Sequence, residues 1–323
     1  MARTLMQLHW RPYQWALQPP LLTACGPWSE RRGWLLRLRD PGSGGIGWGE
    51  AAPLPAEHGH CADAVAALPA ECSTEQLEQT IRTLPGPVAF AIGLALAELA
   101  GLPGGPWLPA PASAVLLPAG ADAITALQQT LRRQETNASA LVAKWKVGVL
   151  DADSELQLLE QLMEHLPSGA LLRLDANGGW DRATAGRWAM RLQNESKLQW
   201  LEQPLPPSDH AGLLALGRRL PVALDESLRH SSGIPSGWSG WLVHKPALEG
   251  DPRPLLQRLK RGAPKQMVSS ALESGIGARA VAHMAALASR GPTPCAAGLA
   301  PGWGASGDLA SAIPQQVWEA AGP

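Results

Sequence analysis

The chain has 323 residues, with 27 Lys and Arg against 28 Asp and Glu, a net charge of −1 at pH 7. That length holds one large barrel plus a smaller domain, and the balanced charge with no basic block argues against nucleic acid or an anionic membrane surface, leaving a small neutral or anionic ligand. No run of about 18 apolar residues occurs, and Cys25, Cys61, Cys72 and Cys295 form no CxxC or zinc-type spacing. The chain therefore reads as a soluble cytoplasmic protein with ordinary thiols.

In chain order, residues 4 to 17 and 33 to 40 read as strands separated by a Pro- and Gly-containing loop from Pro19 to Arg32, and 46 to 49 as a third short strand. Helical patterns follow at about 61 to 69, 74 to 83 and 87 to 101, the last ended by Gly101 and Pro103. This makes an α+β unit over 1–108. The Pro/Gly-rich stretch from Leu102 to Pro111 marks its boundary.

From about 112 the pattern changes to apolar runs alternating with amphipathic helices, the signature of a parallel β/α sheet or barrel. Strands are expected at 113 to 117, 140 to 146, 170 to 174, 199 to 202, 222 to 225, 240 to 245, 266 to 269 and, weakly, 295 to 298. Helices fit between them at 153 to 165, 182 to 194, 252 to 260 and 278 to 288. The fold class is α/β: a modified TIM barrel, (β/α)7β, over 109–300, with the N-terminal α+β unit as a capping domain. No full barrel helix follows the eighth strand, and 301–323 is expected to return to the cap.

Charged residues stand where these apolar runs stop. Lys144 and Lys146 lie in Ala143-Lys144-Trp145-Lys146-Val147, and Asp175, Glu202, Asp225 and Lys245 end later runs at intervals of 27, 23 and 20 residues. Such intervals match one strand, one helix and two loops, so successive strands deliver one charged group each to the same end of a barrel, where these folds keep their chemistry. Three carboxylates brought together repel unless a cation joins them, and an oxygen-only set without Cys or His favours a hard ion such as Mg²⁺ over zinc. Taken singly, each carboxylate reads equally well as a solvated or helix-capping group.

Lys144 and Lys146, two apart on a strand, share one face. Alone, such a pair reads as an exposed edge device. With Lys245 at another strand end, three ammonium groups face three carboxylates, an arrangement in which one lysine is expected to lose its proton near neutral pH. Asn177 reads either as a ligand-binding amide or as part of an Asn-Gly-Gly turn. Ser269 to Gly277 reads as an anion pocket of backbone NH groups ahead of a helix, or as a plain Ser-rich loop with Ser274 as cap. His58 and His60 read as surface residues.

With Gly47-Trp48-Gly49-Glu50 in the cap, Lys144-Trp145-Lys146, Asp175-Ala176-Asn177, Glu202-Gln203-Pro204, Asp225-Glu226-Ser227, Lys245-Pro246 and Ser269 to Gly277, the chain resembles the enolase superfamily and its muconate-lactonizing-enzyme-like subgroup over nearly its whole length. The resemblance implies Mg²⁺, replaceable by Mn²⁺, on Asp175, Glu202 and Asp225. It makes Lys146 the acid/base, Lys144 its tuning neighbour and Lys245 the stabiliser on the other face, with Asn177, Ser269 and Ser270 binding a small-molecule carboxylate substrate. The implied activity is syn dehydration of a succinyl-hydroxycyclohexadiene carboxylate to an aromatic succinylbenzoate in quinone biosynthesis, with the succinyl arm toward cap loops at 18 to 31 and 50 to 60. Racemisation of N-succinyl amino acids and dipeptide epimerisation are the subgroup alternatives, and a non-catalytic binding barrel is a third. The epimerases' Asp-x-Asp has no counterpart between Gly298 and Asp308.

Overall fold

The computed structural model describes residues 5–23, 26–101, 104–133 and 141–322; Cys25 lies outside them. Strands β1 (Met6–Thr23), β2 (Gly26–Arg39) and β3 (Ile46–Ala51) form an antiparallel sheet completed by β4 (Glu71–Cys72), in the order β3-β2-β1-β4. The expected loop from Pro19 to Arg32 is instead mostly strand. Leu21 pairs with Trp28 and Leu22 with Pro27 past a register shift after Ala16, so this Pro-containing stretch stays extended because the ladder re-forms beyond the irregularity.

Helices α1 (His58–Ala66), α2 (Thr74–Thr80) and α3 (Gly86–Leu99) follow. Helix α3 is apolar on nearly every side, with Val88 through Ala97 buried, because it is wedged between the sheet and the barrel. Gly47 and Gly49 permit this. A Cβ on either would lie 2.0 Å from the carbonyl oxygen of Ala95 or Ala91, so only glycine lets β3 lie directly on the helix backbone.

The second sheet is parallel: β5 (Val115–Leu117), β6 (Val142–Lys146), β7 (Leu171–Asp175), β8 (Leu198–Glu202), β9 (Val222–Leu224), β10 (Trp241–His244) and β11 (Gln266–Val268), hydrogen-bonded in sequence order. Helices α4 (Asp122–Arg133), α5 (Ala152–His165), α6 (Arg182–Leu192), α7 (His210–Gly217), α8 (Pro246–Glu249), α9 (Pro252–Lys260) and α10 (Gly275–Ser289) lie along it. Asp151, Asp181, Asp209 and Asp251 cap α5, α6, α7 and α9 by accepting from backbone NH groups of the first turn.

The weak eighth strand appears as single bridges, Ser113 to Ala297 and Ser269 to Gly298. The Ala114 and Ala297 amides donate across one seam and the Gly298 and Ser270 amides across the other. The ends of the sheet thus meet through residues 296–298, and the barrel is the (β/α)7β form expected. Helix α11 (Pro314–Ala320) packs on the N-terminal sheet, with Trp318 against Trp48 at 5.8 Å and Arg11 donating to the Trp318 carbonyl.

Candidate active site

Parallel register fixes the first half of the site. Lys146 lies opposite Asp175, and Asp175 opposite Glu202, on three adjacent strand ends. Their inward side chains therefore meet at one level. Lys144 bridges Glu202 at 2.7 Å and Asp175 at 2.9 Å, and Lys146 bonds Asp175 at 2.8 Å. Lys245 comes from beyond β10 and bonds Asp225. Asp175 and Glu202 are fully buried and Asp225 is 2% exposed. The six charged residues are thus gathered, ammonium facing carboxylate, at the C-terminal mouth of the barrel.

The electrostatics follow from that pairing. Burial alone would raise the Asp175 carboxyl, but Lys144, Lys146 and Lys245 outweigh it and hold Asp175 well below the usual carboxylate range. Glu202 ends raised despite its bond to Lys144, because burial and the neighbouring Asp175 prevail. Burial would lower Lys144 and Lys245, and the facing carboxylates reverse the sign, leaving both raised. The expectation of a depressed lysine is therefore not met by either of these two.

Local backbone geometry supports the cluster. Gln203 takes a left-handed φ of 36°, and its amide oxygen accepts from the Asp225 and Ser227 amides at 3.1 Å each. Its nitrogen donates to the Leu205 carbonyl. One buried amide thus holds the end of β9 to the end of β8. Asn177, at φ 47°, accepts from Lys146 Nζ at 2.9 Å and donates to Glu226 at 3.1 Å. Strained non-glycine backbone at such positions accompanies functional sites. Burial and then Asp225 push the Glu226 carboxyl up to about 7.

Ser269 and Ser270 are engaged within the protein. Ser269 Oγ donates to the Gly298 carbonyl at 2.9 Å, and Ser270 Oγ donates to Glu273 at 2.6 Å. The expected anion pocket ahead of α10 is already filled by the cap. Glu50 accepts from the Ser274 amide and hydroxyl, the Gly277 amide and the Tyr13 hydroxyl, at 2.6–2.8 Å. His58 packs against Trp34 with ring centroids 4.7 Å apart and the planes tilted by 32°. The Cys61 thiol is pushed up to about 12 by burial, as a buried filler.

Sequence reading passed over Gln203, Glu226, Arg173 and Trp200. Parity would have found two of them: Arg173 stands two before Asp175, and Trp200 two before Glu202, as Lys144 stands two before Lys146. The Arg173 guanidinium is fully buried, lies 4.1 Å over the Trp200 ring, and is lowered to about 10 by burial.

Among the described residues no three His, Cys, Asp or Glu side chains are gathered tightly enough to hold a metal ion, since each carboxylate here faces a lysine. The donor set nevertheless fits a hard divalent cation: three buried carboxylates, oxygen only, on strand ends that bring Asp175, Glu202 and Asp225 around one mouth. The partners that must yield are long lysine chains.

Residues 126–234 match the family described as enolase C-terminal domain-like. The o-succinylbenzoate synthase of Thermosynechococcus vestitus is 40% identical over 294 residues, 86% of this chain and 88% of that protein. The chain belongs to the enolase superfamily, in its o-succinylbenzoate synthase family. The synthase of Edwardsiella ictaluri is 32% identical over 276 residues, 82% of this chain and 81% of its own. Among solved structures, the o-succinylbenzoate synthase from Thermosynechococcus elongatus BP-1, complexed with Mg in its active site, superposes with a TM-score of 0.77 at 35% identity, covering 97% of this chain and 99% of that one. The L-Ala-D/L-Glu epimerase of Bacillus subtilis, at 20% identity and a TM-score of 0.69 over 94% of this chain and 92% of its own, shares the fold.

Proposed function

We propose that this chain is a Mg²⁺-dependent lyase that converts 2-succinyl-6-hydroxy-2,4-cyclohexadiene-1-carboxylate to 2-succinylbenzoate by syn dehydration, in the route to menaquinone or phylloquinone. The observation that carries it is the likeness to o-succinylbenzoate synthases over nearly the full length of both chains. In this reading 1–108 is the cap, 109–300 the catalytic barrel and 301–323 a segment returning to the cap. The partner is a small-molecule carboxylate, without nucleic acid or membrane, and the setting is the cytoplasm.

Asp175, Glu202 and Asp225 would hold the ion, whose charge stabilises the substrate carboxylate as its α-proton leaves. Charge counting supports this assignment. Three ammonium groups offset three carboxylates in the cluster, so a dianionic substrate is accommodated most readily with a dication. Lys146 removes the ring proton and, as the ammonium, returns it to the departing hydroxyl, so both events occur on one face. Lys144 stands beside it, and Lys245 presents its charge from across the barrel. Asn177 orients Lys146, and Ser269 and Ser270 lie at the substrate-facing end of β11. A 220 Å³ cavity lies in the cap between Trp28 and Arg31 of β2, Pro53 and His58 at the start of α1, on the side toward which the succinyl arm is placed.

Purified chain given the cyclohexadiene carboxylate with Mg²⁺ should aromatise it, followed by ultraviolet absorbance, and EDTA should stop the reaction. Greater kcat/KM for a dipeptide or an N-succinyl amino acid would overturn the assignment. The single Asp308 is exposed on a 3-10 turn, Gly307–Ala310.

A further inference from the structure

Lys245 sits at the N-cap of α8, a one-turn helix begun by Pro246. A lysine has only donors and cannot cap a helix, so the turn is closed from its other end. Glu249 reaches back, and its Oε1 accepts from the Lys245 backbone amide at 2.6 Å. The second oxygen, Oε2, lies 2.7 Å from Nδ1 of His244, a ring only 2% exposed. The other ring nitrogen is 2.8 Å from Gln266 Oε1, and Gln266 is itself fixed by donating Nε2–H to the Pro264 carbonyl at 2.8 Å. Arg258 Nη2 approaches the same ring nitrogen at 3.2 Å.

One carboxylate therefore spans two successive residues, His244 and Lys245, and ties both through Gln266 to the neighbouring strand β11. From the outer side the cap presses on the same turn: a Cβ on Gly86, at the start of α3, would lie 2.2 Å from the Leu248 carbonyl oxygen. Among the described residues no hydrogen bond or ion pair joins His244, Glu249 or Gln266 to Asp175, Glu202 or Asp225, so the assembly stands behind Lys245, outside the charged cluster. We propose that Glu249 is a positioning residue for Lys245, acting as a two-headed brace that fixes the direction in which the Lys245 side chain enters the barrel. This rests on the role given to Lys245 under the proposed function.

Two conservative variants separate bracing from charge. Glu249→Gln keeps the length and two polar heads and loses the charge; Glu249→Asp keeps the charge and is one methylene too short to span both partners. Bracing predicts that Glu249→Gln stays within about threefold of wild-type kcat, while Glu249→Asp loses about tenfold or more with KM within about twofold, because sub-ångström misplacement of a reacting group falls mainly on kcat. Amide hydrogen exchange at Lys245 should speed up in the Asp variant and not in the Gln variant. The reverse order in kcat, or unchanged Lys245 exchange in both, overturns the brace. If wild-type protein does not dehydrate the cyclohexadiene carboxylate, the functional reading fails, and the exchange measurement still decides the brace.

Discussion

At the level of single residues, the three lysines differ in what they touch. Lys146 contacts Asp175 and Asn177, whereas Lys245 contacts Asp225 from another strand end. If dehydration is syn, one base handles both the proton and the hydroxyl. Lys146→Ala should then abolish turnover, while Lys245→Ala loses electrostatic stabilisation but still exchanges the substrate α-proton slowly with deuterated solvent. Exchange that persists in Lys146→Ala and vanishes in Lys245→Ala would swap the two roles. The carboxylates give a second expectation: Asp175→Asn, Glu202→Gln and Asp225→Asn should each remove most activity and weaken Mg²⁺ binding measured by calorimetry at least tenfold. Tight Mg²⁺ binding in all three variants would remove them from the ligand set.

At the level of elements, much of the barrel was legible because β6, β7, β8 and β10 each end at or run into a charged group and are followed by a helix that an Asp caps, a period that survives in the sequence. The expected 252 to 260 helix coincides with Pro252–Lys260, where Asp251 and Pro252 mark the start. The β1–β2 hairpin was not legible, since Pro19, Pro20 and Pro27 signal a loop, while the ladder skips Pro19 and Pro20 at a register shift and resumes at Leu21–Trp28 and Leu22–Pro27. The anion pocket was misread because its partner is distant: the amides ahead of α10 look free until Glu50, 224 residues earlier in the chain, is folded onto them. Gln203 and Glu249 escaped because their roles depend on backbone amides, which carry no residue signature. The β3–α3 contact gives an element-level test. Gly49→Ala puts a methyl 2.0 Å from the Ala91 carbonyl oxygen and should destabilise by about 2–3 kcal/mol or more through overpacking, read as a lowered thermal midpoint, whereas Gly59→Ala, with nothing near the added atom, should leave it nearly unchanged.

Across the whole molecule, the cap and barrel are joined by buried polar groups as well as apolar ones. Glu50 caps α10 from the N-terminal sheet, and the fully buried Arg31 donates to the Leu272 carbonyl at 2.9 Å and to the Ala52 and Pro53 carbonyls. Glu273 lies within this junction, 3% exposed, accepting from the Ala271 amide and the Ser270 hydroxyl. Burial raises its carboxyl above the ordinary range and the nearby Glu50 adds to this, against the lowering effect of the two hydrogen bonds. The sign follows from linkage: a carboxyl whose folded value lies above its unfolded one holds its proton more tightly when folded, so its contribution to stability is present below the unfolded value, near 4, and is lost as pH rises through the folded value. Glu273→Gln removes that titration while keeping the shape. Its thermal midpoint relative to wild type should therefore move upward as pH rises above the unfolded value and level off above the raised folded value, whatever constant offset the altered hydrogen bonds impose. A difference that stays flat over that range would mean Glu273 titrates alike in the folded and unfolded chain, and that the junction holds a charged carboxylate at no cost because the Ser270 and Ala271 donors fully replace the water it lost.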